Sequence, residues 1–557
     1  MEAADLEFLE AIAWVVGGLL LVVTVTGLSR KVGWSAPLVL VAVGVGASFL
    51  PFVPDVELKP DVVLFIVLPA LLFAAALQTP YLEVRARGDS ILLLSVGLVL
   101  FSVLVVGLAT TWLLGTAVAG VTLAVGLAFG AILAPTDAVS VNALAGTGRM
   151  PRRLAALLEG EGLLNDATAL VSLNTAIAAI RAPEDGFGNV FWDFGRAVIG
   201  GIALGIVVAW AVVRVRRKLK APVLDTSLSL ATPYVAYIPA AAIGGSGFLA
   251  VVLTGIWLGY RAPSFQSAES RIAERINWRT VNFVLENGVF LLIGLQLKGI
   301  VEMAARTTIA FWQGVLIIAG IYVAMVLARF VWVFAATLLY RFGPERLRER
   351  RWDWKTAFLI SFAGVRGVVT LAAVFLLPIE GAHPTPAVGF LQLAAFVIVV
   401  LSLLQGLAVG PLVQMFRLPL PNPEQDRMQI RTLIAEAQTA AIERLEDEAT
   451  EDDPQELVAS LRRSAEYRVM IGTTDEQGMI SQPDAYARLR LLMLDSERKA
   501  VMAAQREGRY EDSVIDAVLG DFDSIETAMK RSYRRDHAAV KPPVKPPLKL
   551  ARLRREG

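Results

Sequence analysis

Through roughly its first 417 residues the chain breaks into apolar runs of about 17 to 25 residues, each long enough to cross a bilayer core about 30 Å thick. At that depth there is no water to satisfy exposed peptide groups, so each run must close its own backbone hydrogen bonds and fold as a helix. The class follows: an all-α polytopic membrane protein. Charged residues make up only 18% of the 557 and the mean hydropathy is +0.58, whereas a soluble domain carries about 25% charge.

Thirteen spans are expected, at about 11–29, 35–51, 62–78, 90–114, 117–145, 154–180, 190–213, 225–243, 246–260, 280–297, 307–340, 355–378 and 388–415. An odd number puts the termini on opposite sides. One set of alternate loops holds Arg30, Lys31, Arg85, Arg87, Arg149, Arg152, Arg153, the cluster Arg214 to Lys220, Arg261 to Arg279 and Arg341 to Lys355; the other holds only Lys59, Arg181, Arg196, Lys298 and Arg306. Basic residues accumulate in cytoplasmic loops, which predicts a cytoplasmic C-terminus and an outside N-terminus. Met1 to Glu10 has three Glu, one Asp and no basic region, so no cleavable signal peptide is expected.

Two spans are interrupted at mid-depth, one by Ala134-Pro135-Thr136-Asp137 and one by Ser361 to Gly367. Proline removes a backbone donor and glycine loosens a helix, opening backbone that a cavity or neighbouring protein must satisfy. The two spans are seven apart and therefore oppositely oriented. That predicts two inverted six-helix repeats around a linking seventh span, with a binding site at mid-membrane where the interrupted, crossing helices meet.

The stretch Glu159-Gly160-Glu161-Gly162-Leu163-Leu164-Asn165-Asp166 runs straight into the apolar segment Ala167 to Ile180. Carboxylates inside a span are costly and mark ion pathways or proton relays. Asp166 is the candidate carrier: a cation or a proton can each offset the penalty of its charge, so the two compete, and competition for one group gives exchange. Asn165 supplies an amide without adding charge. Glu161 lies five residues earlier, about 140° around the helix at roughly 100° per residue, and should face elsewhere. Glu286 and Arg329 are two more charges in apolar surroundings, expected to find partners within the bundle, with each other as one pairing.

The absence of cysteine excludes disulfides, thiolate metal sites and cysteine catalysis. The two histidines, His383 and His537, fall outside the spans. No cofactor and no nucleic-acid partner are expected, and no phosphate-binding loop of the Walker type is present, which disfavours a primary pump. From other classes, a cation channel would need a continuous wet pore, and an intramembrane aspartyl protease would need paired carboxylates sharing a proton.

Past Arg417-Leu418-Pro419-Leu420-Pro421 the composition turns soluble. Three regions are expected: a membrane domain over 1–417, a helical cytosolic region over 418–540, and a basic, proline-rich disordered tail over 541–557. Apolar stripes mark helices at 424–447 (Ile430, Leu433, Ile434, Ala437, Ala441, Leu445) and 511–530 (Val514, Val518, Phe522, Ile525, Met529).

Taken together, Pro135-Thr136-Asp137-Ala138-Val139, Glu161 to Ala167 and Gly364-Val365-Arg366-Gly367 resemble the electroneutral branch of the monovalent cation/proton antiporters, which includes the NHE exchangers and the prokaryotic NhaP proteins. The resemblance covers the membrane region and not the C-terminal region. It implies a plasma-membrane homodimer exchanging Na⁺, or Li⁺ or K⁺, for H⁺ without net charge movement, with a K⁺-selective antiporter as the nearest alternative. It implies that Asp137 and Thr136 lie at the site with Asp166, Thr136 giving oxygen to the Na⁺ that Asp166 binds, and that Glu161 pairs with Arg366. Electrogenic relatives carry Asp where Asn165 stands. Two departures stand out: Gly162 replaces a serine found in many relatives, removing a side-chain oxygen, and Phe73-Ala74-Ala75-Ala76 lacks an acid that some carry.

Overall fold

A computed structural model describes residues 3–51, 53, 60–79, 81–118, 121–137, 150–181, 187–343, 352–377, 386–420, 423–449 and 453–473, with isolated positions between 490 and 526. The chain divides into two compact units, Met1–Leu420 and Pro421–Gly557.

In the first unit the apolar runs become helices: α1 (Ala3–Val32), α2 (Ala36–Ser48), α3 (Leu68–Gln78), α4 (Val99–Gly115), α5 (Leu123–Leu133), α6 (Arg152–Arg181), α7 (Phe187–Arg216), α8 (Pro222–Ala242), α9 (Gly247–Phe265), α10 (Ala268–Leu295), α11 (Phe311–Phe342), α12 (Trp354–Phe362), α13 (Val368–Val374) and α14 (Pro386–Leu407). Short polar residues start several of them by accepting from the exposed N–H groups of the first turn: Thr122 from Val125, Ser246 from Leu249, Ser267 from Ser270 and Asp353 from Thr356. Among the described residues, seven helices are long and apolar enough to cross a membrane, and an eighth if α10 and Leu297–Ala304, bent by 41°, count as one span.

Lipid is as apolar as a leucine side chain, so helices in a bilayer associate by close van der Waals contact, which small residues permit. Gly44 of α2 faces Gly294 of α10 so closely that a Cβ on Gly44 would stand 2.5 Å from the Leu291 carbonyl oxygen. Gly130 of α5 meets α4 in the same way, with the Val103 carbonyl oxygen 2.4 Å from its would-be Cβ. Phe73, Phe129, Phe248, Phe290, Leu391 and Val399 fill the interior, while Trp112, Ile199 and Leu316 point outward from the bundle as surface for acyl chains.

Helices α9 and α10 overrun their expected ends toward each other. The segment 261–279, expected as a basic loop, is helical apart from a short link: α9 continues to Phe265 and α10 begins at Ala268. Arg261, Glu269, Arg275 and Arg279 stay exposed, but Glu274 is buried and paired. Arg216, buried at the end of α7, donates to Asp225 of α8 (2.7 and 2.9 Å) and to Glu274 of α10 (2.9 Å), while Gln266 donates to both carboxylates and Ser229 to Glu274. A hydropathy reading stops at the first charge and cannot see that these charges pair across three helices.

In the second unit α15 (Pro423–Glu448) covers the first expected stripe and packs on α16 (Gln455–Thr473). The stripe is only partly covered: Leu445 is half-buried while Leu433, Ala437 and Ala441 are exposed. Arg462 bridges to Glu446 at 3.1 Å, an exposed pair of small energetic weight. Of the second stripe, Val518, Phe522 and Ile525 are helical and half-buried, whereas Val514, Met529, the tail 541–557 and both histidines lie outside the described residues.

Candidate functional site

Two helix interruptions meet face to face and set the site. After α5 ends at Leu133, residues 134–137 leave the helix; between α12 and α13 residues 363–367 do the same. Each break exposes carbonyls and N–H groups that have no helical partner. The backbone N–H of Asp137 donates to the Val365 carbonyl (2.7 Å), joining one break to the other. Arg366, 2% exposed, donates through Nε to the Leu133 carbonyl (2.9 Å) and through Nη1 to the Gly364 carbonyl, while its own N–H donates to Ser402 Oγ (3.0 Å). Gln405 closes the Phe362 carbonyl at 2.7 Å. Gly367 has to be glycine for reasons of contact: a Cβ there would lie 2.1 Å from Asp137 Oδ2.

Helix α6 passes this crossing with two differently employed faces. On one, Glu161 and Asn165, one turn apart and each 1% exposed, are tied into protein. Asn165 Nδ2 donates to the Thr136 hydroxyl (2.8 Å) and carbonyl (3.1 Å), and the Thr136 hydroxyl donates to Glu161 Oε1 (2.9 Å). On the other face, Glu159, Gly162, Leu163 and Asp166 line a cavity of about 410 Å³. Thr136, Asp137 and Gly367 at the crossing, Leu71, Leu72 and Ala75 of α3, and Asn282 and Glu286 of α10 complete most of the wall. Asp166 is half-buried, as a group must be if it is to meet an ion arriving through water. The 140° separation derived for Glu161 and Asp166 describes this division of faces.

Glu161 does not pair with Arg366. Its partner is Arg329 of α11, 2% exposed, whose Nη1 and Nη2 donate to Glu161 Oε1 and Oε2 at 2.5 and 2.9 Å while Nε donates to the Ile360 carbonyl at 2.9 Å. That fork geometry is what guanidinium and carboxylate prefer. Arg366 lies close by, with its donors turned to the broken helix ends. Nor do Arg329 and Glu286 pair: α11 packs on α4 and α12, and Glu286 instead accepts from Asn282 Nδ2 at 3.0 Å. Although consecutive in sequence, α10 and α11 do not pack closely on each other. The lone charge in an apolar helix was the signal for both residues, and the partner is what sequence left open.

Sequence reading puts Asp166, Asp137, Thr136, Gly162 and Asn165 at one site, and all five stand at the crossing. The first four line the cavity; Asn165 backs it, its Oδ1 buried without a hydrogen-bond partner. Gly162 leaves the cavity wall bare one turn before Asp166, and the α3 wall is apolar but for Gln78 and Thr79 at its end. Among the described residues, no three His, Cys, Asp or Glu side chains converge as a chelating cluster. The carboxylates Asp137, Glu159, Asp166 and Glu286 are spread along the wall.

The model of the transmembrane sodium/hydrogen exchanger family matches residues 18–415. The chain belongs to the sodium/hydrogen exchanger family. This exchanger is 30% identical over 546 residues to the uncharacterized Na⁺/H⁺ exchanger YjcE of Escherichia coli (strain K12), covering 91% of this chain and 97% of that protein. It is 31% identical over 386 residues to the sodium, potassium, lithium and rubidium/H⁺ antiporter of Bacillus subtilis (strain 168), covering 68% of this chain and 57% of that one. In fold the exchanger resembles the sodium proton antiporter MjNhaP1 of Methanocaldococcus jannaschii, with a TM-score of 0.61 at 20% identity over 73% of this chain and 99% of that one.

Proposed function

We propose that this exchanger trades one Na⁺ for one H⁺ at Asp166 by alternating access. The observation that carries the reading is the division of labour on α6: Asp166 opens to the cavity, whereas the charge of Glu161 is held by a buried guanidinium and Asn165 is spent on Thr136. One carboxylate therefore changes its partner in each cycle, and one proton leaves for each monovalent cation bound. The cycle moves no net charge. Asp137 keeps the field at the crossing negative, and the Asn165 and Thr136 oxygens stand beside Asp166 as further ligands for a dehydrated cation. Cation ligation there would draw on Thr136 after its hydrogen bonds to Glu161 and Asn165 rearrange.

In this reading the thirteen spans form two inverted repeats of six around the seventh, the bundle carrying the crossed breaks moves against the remaining helices, and two copies associate in the plasma membrane. The N-terminus is outside and the C-terminal unit is cytosolic. A broader alkali-cation range is the second reading. It is favoured by Gly162, which removes a size-discriminating oxygen, and by the B. subtilis relative, whose name covers four alkali cations.

The test is exchange by the full-length protein in proteoliposomes, followed with an internal pH dye. Asp166→Asn should leave monodisperse protein with no Na⁺-driven proton movement, and substantial coupled exchange in that variant would defeat the assignment. An imposed membrane potential should not drive Na⁺-dependent proton flux in the unaltered protein; a potential-driven response would refute the neutral cycle.

A further inference from the structure

Across the cavity from α6, the α10 wall carries a carboxylate that the exchange cycle above does not use. Glu286 and Asn282 stand one turn apart, and the Asn282 amide N–H bonds one carboxylate oxygen of Glu286 at 3.0 Å. The other Glu286 oxygen and the Asn282 amide oxygen have no protein donor among the described residues. Among the described residues no guanidinium bonds Glu286, and the donors of Arg329 and Arg366 go to Glu161 and to the carbonyls of Ile360, Leu133 and Gly364.

A second, independent observation points to a ligand. Thr370 of α13, 1% exposed, lines the same cavity, and its Oγ1 is buried with no hydrogen-bond partner. Helix α13 packs against α10, and Thr370 lines the same cavity as the α10 pair. A buried hydroxyl without a partner is uncommon and costs stability unless something else in the functioning protein engages it. Carboxylate, amide and hydroxyl oxygens together make a hard donor set with one formal negative charge.

We propose that Glu286, Asn282 and Thr370 form a second monovalent-cation subsite, at which an alkali ion is held, partly hydrated, before it passes to Asp166. The inference rests on the proposed exchange at Asp166 and adds a waiting position to it. The subsite retains a cation within the cavity and so sets the apparent affinity, while Asp166 alone exchanges it for a proton. The ion sheds water in two stages, with fixed oxygens replacing some of its shell at each.

The experiment uses full-length protein, in proteoliposomes for exchange and in detergent for equilibrium binding of radioactive Na⁺. Glu286→Gln preserves shape and can still accept from Asn282. It should raise KM for Na⁺ about tenfold, the worth of one charge-assisted contact, and lower the maximal rate far less. Thr370→Val, which keeps volume and loses only the oxygen, should move KM in the same direction by a few-fold; it decides the matter if Glu286→Gln does not yield monodisperse protein. Asp166→Asn protein should still bind Na⁺, and Asp166→Asn/Glu286→Gln should bind none. An unchanged KM in both single variants, or Na⁺ binding by Asp166→Asn protein that survives Glu286→Gln, overturns the subsite. Retained exchange in Asp166→Asn alone would overturn the functional reading instead, so the two failures are distinguishable.

Discussion

Removing Arg329 tests the structure where it departs from the pairing that family resemblance implies. The guanidinium makes three hydrogen bonds, two to Glu161 and one to the Ile360 carbonyl, in a setting where both charged side chains are almost fully enclosed. Arg329→Met fills most of the volume and leaves the Glu161 carboxylate with Thr136 as its remaining hydrogen-bond donor. Breaking one side of a buried pair costs about 3–5 kcal/mol, because the abandoned charge is uncompensated, whereas replacing both partners is close to neutral. Arg329→Met should therefore be strongly destabilised, with an apparent Tm lower on the order of 5 °C. Adding Glu161→Gln should recover much of the loss. Thermal unfolding of the purified full-length protein in one detergent, followed by size-exclusion recovery after heating, gives the four corners of the cycle. Arg366→Met supplies the control: its guanidinium closes two carbonyls rather than a carboxylate, so Glu161→Gln should rescue it far less. Rescue of Arg366→Met by Glu161→Gln, with none for Arg329→Met, would show the pairing described here to be wrong.

Three further outcomes follow from the same geometry. Gly367→Ala drives a methyl group into the Asp137 carboxylate and should abolish exchange or folding, while Gly299→Ala, where nothing lies within 4 Å, should be silent in both exchange and yield. Asn165→Asp replaces the donor that holds Thr136 with an acceptor and should lose about 1–3 kcal/mol in the same unfolding assay; undiminished stability would contradict the bonds drawn to Thr136. Arg216→Met strands Asp225 and Glu274 beside each other in a buried cluster, and protease nicking between α9 and α10, near Gln266, should rise sharply; an unchanged digestion pattern would argue that the cluster does not anchor that end.

What sequence made legible here is what short range decides. Apolar runs longer than a bilayer is thick can only be helices, and Pro135 and the glycines around Arg366 mark backbone that cannot stay helical, so the all-helical class, the breaks and the acidic stretch on α6 were readable, though not a count of thirteen spans. The angular separation of Glu161 and Asp166 on one helix was readable for the same reason. The partner of Glu161 was not: Arg329 lies 168 residues away, and nothing in spacing or composition ranks it above Arg366. The extension of α10 back to Ala268 was hidden because its stability comes from Arg216 and Asp225 on other helices. Glu286 was visible as an isolated charge, yet its place on the cavity wall follows only from how α10, α13 and α6 are arranged around that space.

The bond from the Asp137 amide to the Val365 carbonyl, with Arg366 reaching back to Leu133, makes each interruption the missing scaffolding of the other. Neither can slide along its axis alone without stranding amides in a medium that offers no substitute. In the exchange cycle proposed above, the two interruptions would therefore move as a single cassette. An insertion or deletion of one residue in either interruption would break the register of these bonds and call for a matching edit in its counterpart.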